Sequence, residues 1–268
     1  ANFRADAFDS SKLPAANRWG YFPSFSAGWT VSNEPWFRDN VPANAVNFLK
    51  LRASWGRNGN ISVLGNYPYA STIALGNNWY QYNVDATGAV MASGPSILAN
   101  PSLSWETSEQ FDLGLDARFL NNRLTLGADY YYKTTKDWLL STTVSPEYGF
   151  NSVTKNAGKV LNRGIELEIG WRDHVGDFNY SINANFTHNH NEVLDLPASS
   201  GRITASDASS TNYQVQTAIE TGYPIWYLRG YEYAGVGANG QATFYDAEGK
   251  IVDTVGSNDL KYIGNTMP

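Results

Sequence analysis

Two pairs of carboxylates stand at strand spacing in this sequence: Asp112 with Asp116, and Glu166 with Glu168. Two carboxyl groups that face each other across a glycosidic bond can act as acid and as base or nucleophile. The same residues equally suit a wet surface, or ion pairs with Arg118, Lys133 and Arg172 on neighbouring strands. His188 and His190 put two imidazoles on one side of a strand, a spacing that zinc accepts. No carboxylate or third histidine is read at a matching spacing, and both stand where the last strand should leave the membrane, so both are expected at the surface and no metal is expected. Asp246-Ala247-Glu248-Gly249 lacks the alternating acids and distal glutamate of a calcium loop. A glycine-rich phosphate loop and a nucleophile elbow are both missing from the sequence. Neither catalysis nor a cofactor is expected.

Aromatic residues form the more informative group. The chain carries 9 Trp, 17 Tyr and 12 Phe among 268 residues, with only 16% charged. Trp79, Tyr80, Tyr82, Trp138, Tyr148, Trp226 and Tyr227 fall in segments that read as loops. There, flat rings with polar edges can stack on sugars or clasp peptides. They can equally hold loops together or sit at a membrane interface. A net charge of −6 offers no basic stripe for phosphates and argues against nucleic acid. Zero cysteines exclude disulfides and thiolate metal sites.

The elements that must position these groups alternate with a period of two. From Trp105 to Lys133 the sequence reads WETSEQFDLGLDARFLNNRLTLGADYYYK. Phe111, Leu113, Leu115, Ala117 and Phe119 share one face, against Asp112, Gly114, Asp116 and Arg118. After Asn121-Asn122, Leu124, Leu126, Ala128, Tyr130 and Tyr132 oppose Thr125, Gly127, Asp129, Tyr131 and Lys133. This is a hairpin of long strands. Further strands are expected at roughly 1–6, 18–31, 46–56, 160–172 and 178–192, beside those at 105–119 and 124–138. Ile165, Leu167, Ile169 and Trp171 oppose Gly164, Glu166, Glu168, Gly170 and Arg172. Pro23 predicts a bulge or break in the second strand, because it removes a ladder donor. Asp173 to Gly176 reads as a short turn, and 241–252 as a small hairpin.

No charge falls on the apolar faces, and the strands match the 9–11 residues needed to span a membrane better than the usual 5–6. Long connections (57–103, 139–158, 193–240) alternate with tight turns, as in outer-membrane barrels with short periplasmic turns and long extracellular loops. The expected fold is all-β: a long-stranded antiparallel meander forming part of a large transmembrane barrel. On this reading Phe111, Leu113, Leu115, Leu124, Leu126, Ile165, Leu167 and Ile169 face lipid. Asp112, Asp116, Arg118, Asp129, Glu166 and Glu168 then face a polar lumen. A soluble all-β carbohydrate-binding module and a carboxylate-dependent hydrolase stand as alternatives.

The segment ANPSLSWETSEQFDLGLDARFLNNRLTLGADYYYKTTKDWL resembles a late-barrel signature of SusC/RagA-type TonB-dependent transporters of Bacteroidetes outer membranes. NRWGYFPSFSAGW, VTKNAGKVLNRGIELEI, NFTHNHNEVLDL, GYPIWYLRGYEYAGV and YIGNTMP are similar to other family segments, in the family's order. The resemblance implies a barrel of about 22 strands, of which residues 1–268 would be a fragment. Signal peptide, plug domain and TonB-contacting segment would lie outside it. It further implies nutrient import, of an oligosaccharide or peptide, with a SusD-like surface lipoprotein as lid and the TonB machinery as energy source. Trp79, Tyr80, Tyr82, Trp138, Trp226 and Tyr227 become candidate ligand contacts.

Overall fold

In the computed structural model, residues 2–7, 11–80, 90–197, 201–205 and 215–265 are described. The chain divides into two compact units, Ala1–Asn189 and His190–Pro268.

In the first unit the strands are β1 (Asn2–Ala7), β2 (Trp19–Thr30), β3 (Val46–Asn60), β4 (Ile73–Tyr80), β5 (Val90–Pro95), β6 (Glu106–Phe119) and β7 (Leu124–Lys136). Then come β8 (Leu139–Thr143), β9 (Ser152–Asn156), β10 (Lys159–Val175) and β11 (Phe178–Asp195), the last continuing into the second unit. A six-residue helix α1 (Pro35–Asn40) interrupts the β2–β3 connection. Seven of these strands form one sheet in the order β1-β2-β3-β6-β7-β10-β11. It is a meander interrupted by two hairpin excursions, β4-β5 and β8-β9.

Several strands outrun their expected ends. β3 continues to Asn60 and β10 to Val175. The turn after β10 is therefore tighter than Asp173–Gly176, and Gly176 supplies its left-handed backbone at φ 60°. The β6-β7 turn places Leu120, Asn121 and Asn122 all at positive φ (54°, 57° and 65°). Asparagine tolerates that region because its short side chain can bond locally. The turn is tied down by the Asn122 N–H, which donates to Asn47 Oδ1 at 2.9 Å.

The break expected at Pro23 does not occur. β2 runs unbroken, with Pro23 in register opposite Phe3. The β2–β3 ladder starts only at Ser24, where the β1–β2 ladder ends. Pro23 thus has a ladder on one side alone, and its missing N–H disrupts nothing on the other.

Packing in this unit is concentrated beside the sheet's loop edge. Leu13, Ile61, Leu64, Leu103 and Leu139 form a buried cluster, with Tyr69 and Trp105 against it. The Trp105 indole N–H donates to the Arg18 carbonyl at 3.2 Å, and the Asn17 amide to the Leu103 carbonyl at 2.9 Å. Over the sheet itself, large apolar residues such as Leu113, Ile165 and Ile182 are 46%, 46% and 65% exposed.

The second unit holds β12 (Arg202–Ala205), β13 (Val215–Glu220), β14 (Tyr227–Gly230), β15 (Glu232–Val236), β16 (Ala242–Tyr245), β17 (Ile251–Val252) and β18 (Lys261–Gly264). They make a four-stranded sheet β12-β13-β14-β18 and a three-stranded sheet β15-β16-β17. The turn expected at Asp246–Gly249 joins β16 to β17. Its Gly249 N–H donates to the Asp246 carbonyl at 3.1 Å.

Candidate functional site

Strand registers turn the alternating runs into rows across the sheet. One row reads Phe25–Trp55–Phe111–Tyr132–Arg163. Below it, toward the short turns, lie Ala27–Ala53–Leu113–Tyr130–Ile165, then Trp29–Leu51–Leu115–Ala128–Leu167, then Leu49–Ala117–Leu126–Ile169. Phe119, Leu124 and Trp171 close the series. From Phe111 to Phe119 the strand advances about 27 Å at ~3.4 Å per residue. A strand tilt near 40° leaves about 20 Å of height, close to the apolar band of a membrane barrel. The face is apolar throughout below its first row, whose only charge is Arg163.

The opposite face alternates with it row by row. Gly28–Arg52–Gly114–Asp129–Glu166 is one row, and Thr30–Lys50–Asp116–Gly127–Glu168 the next. Arg52 stands directly opposite Gly114, so its guanidinium lies over the missing side chain and reaches carboxylates on two strands. Nε donates to Asp116 at 2.8 Å and Nη2 to Asp129 at 3.0 Å. A Cβ on Gly114 would lie 2.7 Å from the Arg52 guanidinium carbon and would collide with the Asp129 carboxylate. Asp112 accepts from the Ser54 hydroxyl at 3.0 Å and from the Gln110 amide at 2.7 Å.

These contacts correct the expected pairing. Arg52 is the partner of Asp116 and Asp129, because register brings β3 beside β6, while Asp112 is held by Ser54 and Gln110. Arg118 instead lies over the Phe48 ring, 5.0 Å from its centre. The carboxylates Asp112 and Asp116 are thus both held by side chains of the neighbouring strand. Nearer the turns this face has a concavity of about 780 Å³ lined by Lys50, Asp116, Arg118, Thr125, Glu168 and Asn183. The apolar face carries its own concavity of about 570 Å³, where Ala27, Ala53 and Ala128 lie among Leu113, Tyr130 and Ile165.

The expected ligand-contact residues separate. Tyr227 is only 2% exposed and belongs to a packed cluster in the second unit. Its ring stacks on Tyr223 at 4.6 Å, and its hydroxyl donates to Glu220 at 2.5 Å. Arg202 grips the same carboxylate with both arms, at 2.7 and 3.0 Å. Burial, aided by Glu220, pushes the Tyr227 phenol up to about 12, and the Arg202 fork holds Glu220 below its ordinary range. Tyr227 is therefore a structural residue and not a ligand platform, because β14 turns its ring inward.

Trp226 next to it is half-buried with a left-handed backbone at φ 56°. Trp138 is half-buried between β7 and β8, its N–H donating to Gly158 at 3.3 Å. Tyr148 is 63% exposed on the β8-β9 connection. Trp79 and Tyr80 end β4, and Tyr82 lies outside the described residues.

Three contributors were not singled out from the sequence. Arg52 and Gly114 look ordinary until register opposes them. Glu192 stands two residues beyond His190 and contacts its Nε2 at 3.3 Å, so a carboxylate does match the histidine spacing. Even so, among the described residues no three histidine or acidic side chains gather as a metal site.

Residues 1–264 match the family model described as TonB dependent receptor-like, beta-barrel. The TonB-dependent receptor SusC of Bacteroides thetaiotaomicron is 34% identical over 263 residues, 95% of this chain and 25% of that protein. The TonB-dependent receptor P3 of Formosa agariphila is 35% identical over 286 residues, 99% of this chain and 27% of that protein. Among solved structures, the RagAB peptide importer in its 'closed-closed' state superposes with a TM-score of 0.79 at 28% identity. It covers 97% of this chain and 27% of that one. The chain thus spans about a quarter of the length of the curated relatives it matches. Rows of this length, apolar on one side and charged on the other, and the match over nearly every residue lead to one assignment. The chain belongs to the TonB-dependent receptor-like β-barrel family, a family of the outer membrane.

Proposed function

We propose that the whole protein imports a nutrient across the outer membrane and that this chain supplies part of its barrel wall. The observation that carries the reading is the division of the seven-stranded sheet into one apolar and one charged face. Phe111, Leu113, Leu115, Leu124, Leu126, Ile165, Leu167 and Ile169 face lipid. Asp112, Asp116, Arg118, Asp129, Glu166 and Glu168 line the lumen, where ion pairs and hydroxyl partners keep the wall wettable and stiff. The turn at Asn121-Asn122 is periplasmic, and the β4-β5 and β8-β9 excursions are extracellular. This is the orientation expected of barrels with short inner turns and long outer loops.

Import rests on energy from the TonB machinery and on a SusD-like surface lipoprotein that closes over the outer loops. The cargo is an oligosaccharide or a peptide; the structural likeness to a peptide importer supports the second. Trp138 and Trp226, with Trp79 and Tyr80, are the loop aromatics offered to it. The protein is a transporter and not an enzyme.

The test is uptake by the native cell. Deleting the gene abolishes accumulation of either a labelled oligosaccharide pool or a labelled peptide pool. Loss of TonB function does the same. Unchanged uptake of both pools in the deletion strain contradicts the reading.

A further inference from the structure

The second unit holds an open aromatic corner. Tyr223 stacks on the buried Tyr227 with ring centres 4.6 Å apart, and Tyr262 stands 5.8 Å from both. Equal distances put Tyr262 beside the stacked pair and not over the outer face of Tyr223. Neither ring covers that face, and Tyr223 is 39% exposed and Tyr262 46%. The two rings are tilted by 41° to each other, so one makes a floor and the other a side wall.

The corner is built before any ligand arrives. The Tyr223 N–H donates to the Glu220 carbonyl at 3.2 Å, and the Tyr223 carbonyl accepts from the Val193 N–H at 2.9 Å. Gly222 makes the left-handed turn beside it at φ 86°, and its N–H donates to the Val193 carbonyl at 2.8 Å. The Ile225 N–H donates to Asn191 Oδ1 at 2.7 Å. Tyr262 pairs with Arg229 in the β14-β18 ladder, next to the irregularity between Leu228 and Arg229. Such a shift re-aims a side chain. A platform fixed in advance loses little freedom on binding. Val193 lies near the end of β11 away from the Gly176 turn, the side read as extracellular.

The charges that flank the corner are already committed. Glu220 is held by Arg202 and by the Tyr227 hydroxyl. Lys261 is paired with Glu232 at 2.9 Å, and the buried Arg229 donates to the Leu260 carbonyl at 3.0 Å. What the corner offers is ring faces with neutral polar groups at their edges: the Tyr223 hydroxyl, and the amide of Asn265, whose oxygen takes the Tyr262 hydroxyl at 2.5 Å. The negative face of an aromatic ring suits the weakly positive C–H face of a sugar ring. The sugar's hydroxyls then reach the neutral groups around it. A peptide brings charged termini and side chains, for which these residues hold no uncommitted counter-charge.

We propose that this corner binds a neutral oligosaccharide, with one sugar ring stacked on Tyr223 and flanked by Tyr262. The proposal rests on the import reading and selects the sugar from its two cargo classes. The likeness to a peptide importer is one of fold at 28% identity, whereas the corner is local chemistry.

The experiment is calorimetric titration of the full-length protein in a mild detergent with malto-, cello-, laminari-, xylo- and mannohexaose, and with tryptic peptides of casein. The expected result is that at least one of the sugars binds and that the peptides do not displace it. Tyr223→Ala/Tyr262→Ala weakens that binding by about tenfold or more. Tyr223→Leu/Tyr262→Leu, which keeps apolar bulk over Tyr227 but no flat ring, weakens it likewise. Tyr223→Phe/Tyr262→Phe keeps it, which separates the lost ring from lost folding. Tyr233→Ala, at a 58% exposed position on β15, also keeps it. Undiminished binding in the leucine variant overturns the proposal, as does binding of the peptides in place of every sugar, or of neither class. Cellular uptake separates the two levels of argument. If the deletion strain loses uptake of either pool while the leucine variant binds sugar as tightly as the native protein, only the corner falls. If the deletion strain keeps uptake of both pools, the import reading falls, whatever the corner binds.

Discussion

Glycine 114 shows how far a single position reaches. It is conspicuous in the sequence only as one more small residue on a polar face. Register sets it opposite Arg52, and the absent side chain is the space that the guanidinium and the Asp129 carboxylate occupy. Gly114→Ala is expected to destabilise the folded barrel by about 1–3 kcal/mol, the usual cost of overpacking. Gly127→Ala, where a Cβ finds its nearest neighbour at an ordinary 3.5 Å, serves as the near-neutral control. Denaturant unfolding of the full-length protein in detergent checks both. In the second unit, the Arg202–Glu220–Tyr227 cluster predicts a pH window. Glu220 has a lowered folded-state value, so its contribution is present at neutral pH and fades as pH falls below the carboxylate range. Tyr227 is raised to about 12, so its contribution is full below pH ~10, the unfolded value, and is lost as pH rises toward 12. An ultraviolet difference titration of the native protein against Tyr227→Phe should show one phenol ionising near pH 12. A difference that titrates near pH 10 would show that burial has no such effect.

The β6-β7 hairpin was the most legible element, because alternation over nine residues on either side of Asn121-Asn122 has one structural solution. Strand identity and face were therefore readable, as were the long–short rhythm of connections and the hairpin at 241–252. Partner identity was not. Whether Asp116 meets Arg52 or Arg118 depends on which strand lies alongside and in which register. Periodicity within one strand carries no information about either. The same limit hid the β4-β5 excursion, whose glycine- and asparagine-rich sequence resembles a plain loop, and the β8-β9 excursion, whose strands are only five residues each. It also let Tyr227 pass for a loop aromatic when it is the packed centre of a small sheet. Pro23 was misjudged for a related reason, since its cost depends on which side of β2 carries a ladder. Two predictions belong to this scale. Leu115→Arg should cost about 2–4 kcal/mol of folding stability in vesicles if Leu115 sits near the bilayer midplane. Thr125→Arg on the opposite face should cost far less. Replacing Asn121 by Val, a β-branched residue poorly suited to positive φ, should cost more than replacing it by Gly. Equilibrium folding into vesicles measures all four.

As a whole, the first unit is a wall and not a globule. Its buried cluster sits with the loops, and its longest strands carry bulky apolar residues on one side and paired charges on the other. In the proposed orientation its two faces meet different surroundings, lipid outside and a polar interior within, and membership of the outer-membrane family supports that reading. Import, lid and energy source belong to the proposal for the whole protein and not to what this wall shows by itself. The most direct test of the account is a cysteine and spin-label scan of positions 110–119 in the full-length protein reconstituted in vesicles. Accessibility to oxygen dissolved in lipid would be compared with accessibility to a water-borne relaxer. The account predicts a period-two pattern, with 111, 113, 115, 117 and 119 reached from lipid and 112, 114, 116 and 118 reached from water. Uniform access from water along the whole strand, or a pattern with the two sets exchanged, would contradict it.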